Sequence, residues 1–107
     1  MDWIRLIDMN QLNEIEIETK LSLIFKHSAT CIISRMVLKQ FESSFNFAKN
    51  IEPYFLDLHQ HRKISNEVAL RFKVAHQSPQ IILIKNGKSV YNTSHDRIDA
   101  LELKKFL

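Results

Sequence analysis

The sequence predicts an α/β fold in one domain, residues 1–107: a four-stranded mixed β-sheet flanked by helices. Three observations carry that prediction. Two compact apolar runs, Leu21–Lys26 and Gln80–Lys85, are too short for buried helices of ordinary length and read as strands covered on both faces. Between them Ile33, Val37, Phe41 and Phe45 recur every four residues with Met36 beside them, which is one face of a helix from about Cys31 to Ser44. Directly after the second run, Asn86-Gly87 supplies the two positive-φ residues of a hairpin turn, so the strand that follows returns antiparallel.

The remaining elements fall into place around these. Trp3 to Ile7 either extends along the sheet or lies over it, with Trp3 as its anchoring aromatic. Asn10 is expected to cap a short helix from Gln11 to about Ile17, with Leu12 and Ile15 on one face. Thr30 is expected to cap the helix that begins at Cys31. Phe55–Leu58 forms a short strand just after Pro53. Ser65 then caps a helix through Phe72, with Val68, Ala69 and Phe72 facing in. Ser89–Asn92 is the returning hairpin strand, and Ser94 caps a last helix from about Asp96 to Phe106 that offers Ile98, Leu101 and Phe106 to the core. The first two core strands are joined through a helix and should be parallel, with a right-handed crossover. That order of elements is the thioredoxin-like arrangement.

Composition narrows the classes of function. Hydrophobic residues make up 45% and charged residues 25%, an ordinary globular balance. No run approaches the ~20 apolar residues of a membrane span. Met1 to Asn10 carries Asp2, Arg5 and Asp8 and lacks the layout of a signal peptide, so a cytoplasmic location is expected. The single cysteine agrees, since it has no internal partner and a reducing compartment keeps it free. A net charge of +3 is spread among acids, with Arg62-Lys63 and Lys104-Lys105 the only adjacent basic pairs, so no nucleic-acid face is expected. His59-x-His61 is weak evidence for a metal, because structural zinc sites pair ligands at two separate points, and none is expected.

Cys31 is the candidate nucleophile. Only a thiolate attacks a disulfide, and a cysteine in the first turn of a helix meets unpaired backbone N–H groups and the positive end of the helix dipole. Lys26, His27 and Arg35 lie close in sequence and add positive potential, and no acid occurs between Lys20 and Cys31. The alternative is an inert cysteine kept for packing, which is common for this residue type. Ser34 stands one helical turn on, where a dithiol enzyme keeps its resolving cysteine. A hydroxyl forms no disulfide, so a mixed disulfide on Cys31 must be resolved by another molecule; the plainer reading is an ordinary first-turn serine. Pro79 lacks a ladder donor and belongs at the start of its strand. His76 either lines a ligand groove or is a surface-loop residue. His27 either supports the thiolate or ends a strand. Arg35, Arg71 and Lys73 either meet the carboxylates of an anionic thiol or lie on solvated faces.

The segment Phe25-Lys26-His27-Ser28-Ala29-Thr30-Cys31-Ile32-Ile33-Ser34 resembles the active-site segment of the YtxJ family, the monothiol bacilliredoxins, whose usual core reads Lys-His-Ser, two residues, then Cys-Pro-Ile-Ser. The stretch from Ser65-Asn66 through Val74 to Lys88, with His76-Gln77-Ser78-Pro79-Gln80 inside it, is also similar, as is the pair Ser94-His95. Ile32 departs from the family's proline, which pre-orders a first helical turn.

The resemblance implies a thioredoxin-like fold and a cis Ser78–Pro79 turn beside Cys31. Thr30, Ile32, His76, Ser78 and Pro79 would then line a groove for a thiol or peptide-like ligand. It further implies removal of the small thiol bacillithiol from S-thiolated cytoplasmic proteins, with Cys31 carrying the thiol as a mixed disulfide. A second bacillithiol or a reductase would regenerate the cysteine. No tightly bound cofactor is implied, and bacillithiol is a co-substrate. A monomer is expected, with no membrane or nucleic-acid partner. Two other readings stand beside this one: a non-catalytic thioredoxin-like binding module with a structural cysteine, and a glutaredoxin-like holder of an iron–sulfur cluster. The bulk of Ile32-Ile33 speaks against the cluster, which needs close approach to the backbone.

Overall fold

Seven consecutive residues that are apolar or uncharged in all but the last two places, Leu-Ser-Leu-Ile-Phe-Lys-His, form the central strand of a five-stranded sheet in the computed structural model, which describes residues 1–107. The elements are β1 (Ile4–Arg5), α1 (Met9–Ile17), β2 (Leu21–His27), α2 (Ile32–Ser44), β3 (Ile51–Asp57), α3 (Arg62–Arg71), β4 (Gln80–Lys85) and β5 (Lys88–Ser94). Two 3-10 stretches follow, His95–Arg97 and Ala100–Phe106. The strands lie in the order β1-β3-β2-β4-β5. β2 pairs parallel with β3 from Leu21↔Ile51 to His27↔Asp57 and antiparallel with β4 from Ser22↔Ile84 to Lys26↔Gln80.

β2 is buried along its whole length because helices cover both faces. Leu21, Leu23 and Phe25 pack with Val37 and Phe41 of α2 and with Ala100 and Leu103 near the C-terminus. Ile24 faces the other way and packs with Leu12 and Ile15 of α1 and Ile64 and Val68 of α3. This alternation decides where the polar end of the strand points.

The sheet has a fifth strand that the sequence left open. Ile4 and Arg5 pair parallel with Tyr54 and Phe55. A two-residue strand is too short to show alternation, and it is held by its neighbour Trp3. The indole stacks on Phe41, meets Phe25 and Phe55 at ring-centroid distances of 5.7 and 5.6 Å, and donates to Glu42 Oε2 at 2.7 Å.

Several boundaries differ from expectation for local reasons. Asp8, not Asn10, caps α1: its carboxylate accepts from Gln11 N–H at 3.0 Å while Gln11 Oε1 accepts from Asp8 N–H at 3.2 Å, a reciprocal capping box. β3 begins at Ile51 and runs through Pro53. Leu6 N–H donates to Phe55 O, so the odd residues of β3 turn their backbone toward the β1 side, and the donor that Pro53 lacks falls on the sheet's edge. α3 begins at Arg62 after His61, and Ser65 lies buried inside it rather than capping it. The C-terminal segment is 3-10 rather than α-helical, with Asp99 Oδ1 accepting from Leu101 N–H and Ser94 making no side-chain cap. Its three-residue repeat turns Ala100 and Leu103 into the core and leaves Leu101 exposed.

Gly87 closes the β4–β5 turn at φ +77°, next to Asn86 at φ 52°. A Cβ on Gly87 would sit 2.8 Å from the carbonyl oxygen of Glu16 in α1. Gly87→Ala should therefore cost about 1–3 kcal/mol, the sum of a left-handed backbone penalty and a clash with fixed backbone, read as a lowered urea midpoint at unchanged m-value.

Candidate active site

The chain leaves β2 at His27 and enters α2 at Ile32, and the four residues between form a tight turn. Cys31 N–H donates to Ser28 O at 3.2 Å, and Cys31 O accepts from Arg35 N–H at 3.1 Å. Cys31 is thus the N-cap of α2, with extended backbone at φ −98°, ψ 122°, and no side chain caps the helix. Thr30, the expected cap, instead places Oγ1 3.3 Å from His59 Nε2 and 3.5 Å from Ser28 Oγ. The first-turn amides of α2 are left for whatever stands at the N-cap, and the first turn holds no acid to oppose a negative charge there. Cys31 is free and half-buried.

Ser34, one turn after Cys31, is turned inward. It is 0% exposed, and its Oγ lies 2.9 Å from His27 Nδ1 and accepts from Ser28 N–H at 3.1 Å. Val37 and Phe41 face inward as the stripe predicts, but Ser34 takes the inward place expected of Ile33, which is 57% exposed. Ser34 is a strut that ties the start of α2 to the end of β2. Its three-residue spacing from Val37 was the available signal, hidden by the stronger apolar stripe through Ile33. Ile32, Ile33 and Met36 are left as an exposed apolar surface beside Cys31.

His27 and Lys26 point to opposite sides of the sheet. His27 lies toward α2, its ring 5.4 Å from that of Phe55 and 6.5 Å from that of Phe25. Burial holds its basicity below the ordinary value, with Asp57 and Glu42 pulling it back up and Arg35 pushing it down. Lys26 lies toward α3 and is 0% exposed, with Nζ 3.2 Å from both Ser65 O and His76 Nδ1. Burial lowers its pKa from 10.5 to about 8. Arg35 is exposed on α2. Arg71 is committed to Asn13, Glu16 and Glu67, and Lys73 is exposed at a positive φ just beyond α3.

The second half of the site comes from the segment before β4. The Ser78–Pro79 peptide is cis. Because Lys26 pairs with Gln80, residues 78–79 continue past the end of β2 on the side where the chain turns toward Cys31. Pro79 O accepts from His95 N–H at 2.9 Å, and Ser78 Oγ is buried without a partner. Gln80, the last residue of the His-x-Ser-Pro-Gln motif and the first of β4, closes this loop: its Nε2 donates to Ala75 O at 3.0 Å and its Oε1 accepts from Gln77 N–H at 3.3 Å. His59 was also missed as a site residue. It reaches from the β3–α3 loop to within 2.8 Å of Ser28 Oγ, at the turn that carries Cys31. No three His, Cys, Asp or Glu side chains converge as a metal-binding group, and no helix is long and apolar enough to cross a membrane.

A lone half-buried thiol at a helix start, at the same end of a mixed sheet as a cis-proline loop, defines a thiol-redox protein of the thioredoxin-like class. The chain belongs to the monothiol bacilliredoxin BrxC family, whose model matches residues 4–103. Among solved structures, a thioredoxin-fold protein assigned as an oxidoreductase is 32% identical, with a TM-score of 0.82 over 95% of this chain and 90% of that one. Thioredoxins from Malassezia sympodialis (18% identity, TM-score 0.76, 98% of this chain and 87% of that one) and Trypanosoma brucei brucei (13%, 0.77, 97% and 86%) share the fold.

Two stability measurements test this geometry. Ser34→Ala leaves Ser28 N–H and His27 Nδ1 unpaired in the interior and should cost about 1–3 kcal/mol by denaturant titration. The folded state binds the Lys26 proton less tightly than the unfolded chain does, so stability rises with pH between about 8 and 10.5 and falls as pH drops through that window. From pH 7.5 to pH 9.5 the wild type should gain about 2 kcal/mol relative to Lys26→Met.

Proposed function

We propose that this protein is a monothiol thiol–disulfide oxidoreductase that removes bacillithiol, or a closely similar small thiol, from S-thiolated proteins in the cytoplasm. The observation that carries the reading is Cys31 itself: the chain's one thiol stands half-exposed at an uncapped helix start, and the position one turn on is a serine turned into the core. With no internal thiol to resolve it, a mixed disulfide on Cys31 waits for a partner from solution.

The cycle balances with two small thiols. The Cys31 thiolate attacks the small-thiol sulfur of a protein mixed disulfide. A new S–S bond forms to Cys31, the old one breaks, and the client leaves as a thiolate that takes a proton from water. A second small thiol, as thiolate, then attacks the sulfur held on Cys31, forming the symmetric small-molecule disulfide and returning Cys31 as thiolate. Net, two small-thiol electrons reduce one client cysteine. A reductase that recycles the small-molecule disulfide completes the system, and the protein works as a monomer.

Membership of the bacilliredoxin family supports this chemistry, and the exposed apolar residues Ile32, Ile33 and Met36 beside the sulfur suit a protein client. Ile33 and Met36 are on the solvent side of α2 because Ser34 takes the inward position between them.

Intact mass spectrometry tests the proposal. Incubated separately with the disulfides of bacillithiol, glutathione and coenzyme A, the wild type should acquire one adduct, fastest with bacillithiol, and free bacillithiol should then remove it. Cys31→Ser should acquire none and should fail to release bacillithiol from a thiolated protein while keeping its far-UV spectrum. Release unchanged in Cys31→Ser would end the assignment and leave a binding module with a packing cysteine.

A further inference from the structure

Lys26 is a buried amine with no carboxylate. The ion pairs of the protein are Arg71 with Glu16 and Glu67, and Lys105 with Glu102, and none involves it. Its Nζ is spent on two acceptors, the Ser65 carbonyl in α3 and His76 Nδ1 in the loop before β4. An ammonium has donors only, so His76 Nδ1 must be the acceptor and the ring proton must sit on Nε2. The two nitrogens lie on different sides of the imidazole. With Nδ1 turned inward onto a buried amine, Nε2–H is directed outward, and His76 is an exposed residue.

The backbone around that ring is also fixed. Gln80 holds Ala75 O on one side of His76 and Gln77 N–H on the other. His76 therefore has a fixed place, a fixed ring direction and a fixed tautomer, three residues before Pro79. Its charge is fixed as well: burial, then Lys26 from β2 and Arg62 from α3, hold its pKa below the ordinary value, and no carboxylate acts on it.

We propose that Lys26 is a positioning residue that holds His76 as a neutral Nε2–H donor for an acceptor oxygen of the small thiol carried on Cys31. This rests on the thiol-exchange reading above and assigns it a recognition element. Lys26 touches no ligand and acts only through His76. The arrangement suits an oxygen-rich, anionic thiol, because the donor is aimed before the ligand arrives and needs no proton from solution.

The test reads the tautomer directly and the chemistry separately. In nitrogen-labelled full-length protein at pH 7, long-range proton–nitrogen spectra, assigned with His76→Gln, should show His76 as the Nε2–H tautomer, protonating at lower pH than an ordinary histidine. In Lys26→Met the same ring should populate both tautomers and titrate at higher pH. Divided by the rate of Cys31 alkylation by iodoacetamide, which takes out any change in the thiol itself, transfer of bacillithiol from a thiolated protein to Cys31 should slow about fivefold to twentyfold in Lys26→Met and similarly in His76→Gln, the size expected for one lost hydrogen bond. An Nδ1–H ring in the wild type, or a Lys26→Met spectrum and transfer rate equal to wild type, overturns the proposal. Should Lys26→Met not fold, the wild type still decides through the tautomer of His76 at pH 7, where the amine is charged. A wild type that takes no small-thiol adduct refutes the exchange reading instead, whatever the tautomer.

Discussion

β2 buries two titratable side chains in adjacent positions, and the alternation of a strand sends Lys26 and His27 to opposite faces of the sheet. Neither can be left unpaired, because an unsatisfied polar group in the interior costs more than a hydrogen bond gains. Each finds its partner on a different neighbouring segment. His27 takes Ser34 at the start of α2, and Lys26 takes Ser65 in α3 and His76 before β4. The end of one strand thereby fixes the helix that carries the cysteine and the loop before β4. That both segments lie at one end of the sheet follows from the register of β2 with β4, which the buried apolar residues on both faces set.

The same arrangement explains why the serine one turn after Cys31 is worth keeping in a protein with a single thiol. Ser34 has its oxygen engaged by a backbone N–H and an imidazole, and both bonds brace the turn of residues 28–31. The side chain is structural in the service of the site, and it leaves the resolution of any mixed disulfide to a molecule from solution.

Much of the fold was legible because its signals are strong and local: the fully buried runs of β2 and β4, the four-residue stripe that located α2, and the Asn-Gly turn. What was not legible has a common cause. Where a segment is buried on both faces, its composition no longer says which side chain points where, so Lys26 read as a charge near the cysteine and not as an inward donor to His76. Where a period is set by tertiary packing, the pattern misleads by a residue or two, as with Ser34 against Ile33 and Leu103 against Leu101. Side-chain bridges across long sequence separations, such as His59 to Ser28 or Gln80 to Ala75, leave no trace in local spacing. β1 was ambiguous because two residues carry no period.

Ile32 is the chain's departure from the family's Cys-Pro pattern, and its position makes the substitution mild in shape and distinct in chemistry. It is the first residue of α2 and is exposed, so a β-branched side chain projects into solvent without displacing the core. A proline there would pre-set φ for the helix, a bias that the bonds from Ser34 to His27 and Ser28 help to replace by holding the turn from the other side. Isoleucine also restores a backbone N–H that proline lacks. That amide belongs to the uncapped first turn and to the residue after Cys31, so the substitution adds a donor at the start of the helix. It adds apolar surface as well, together with the exposed Ile33 and Met36, next to Cys31.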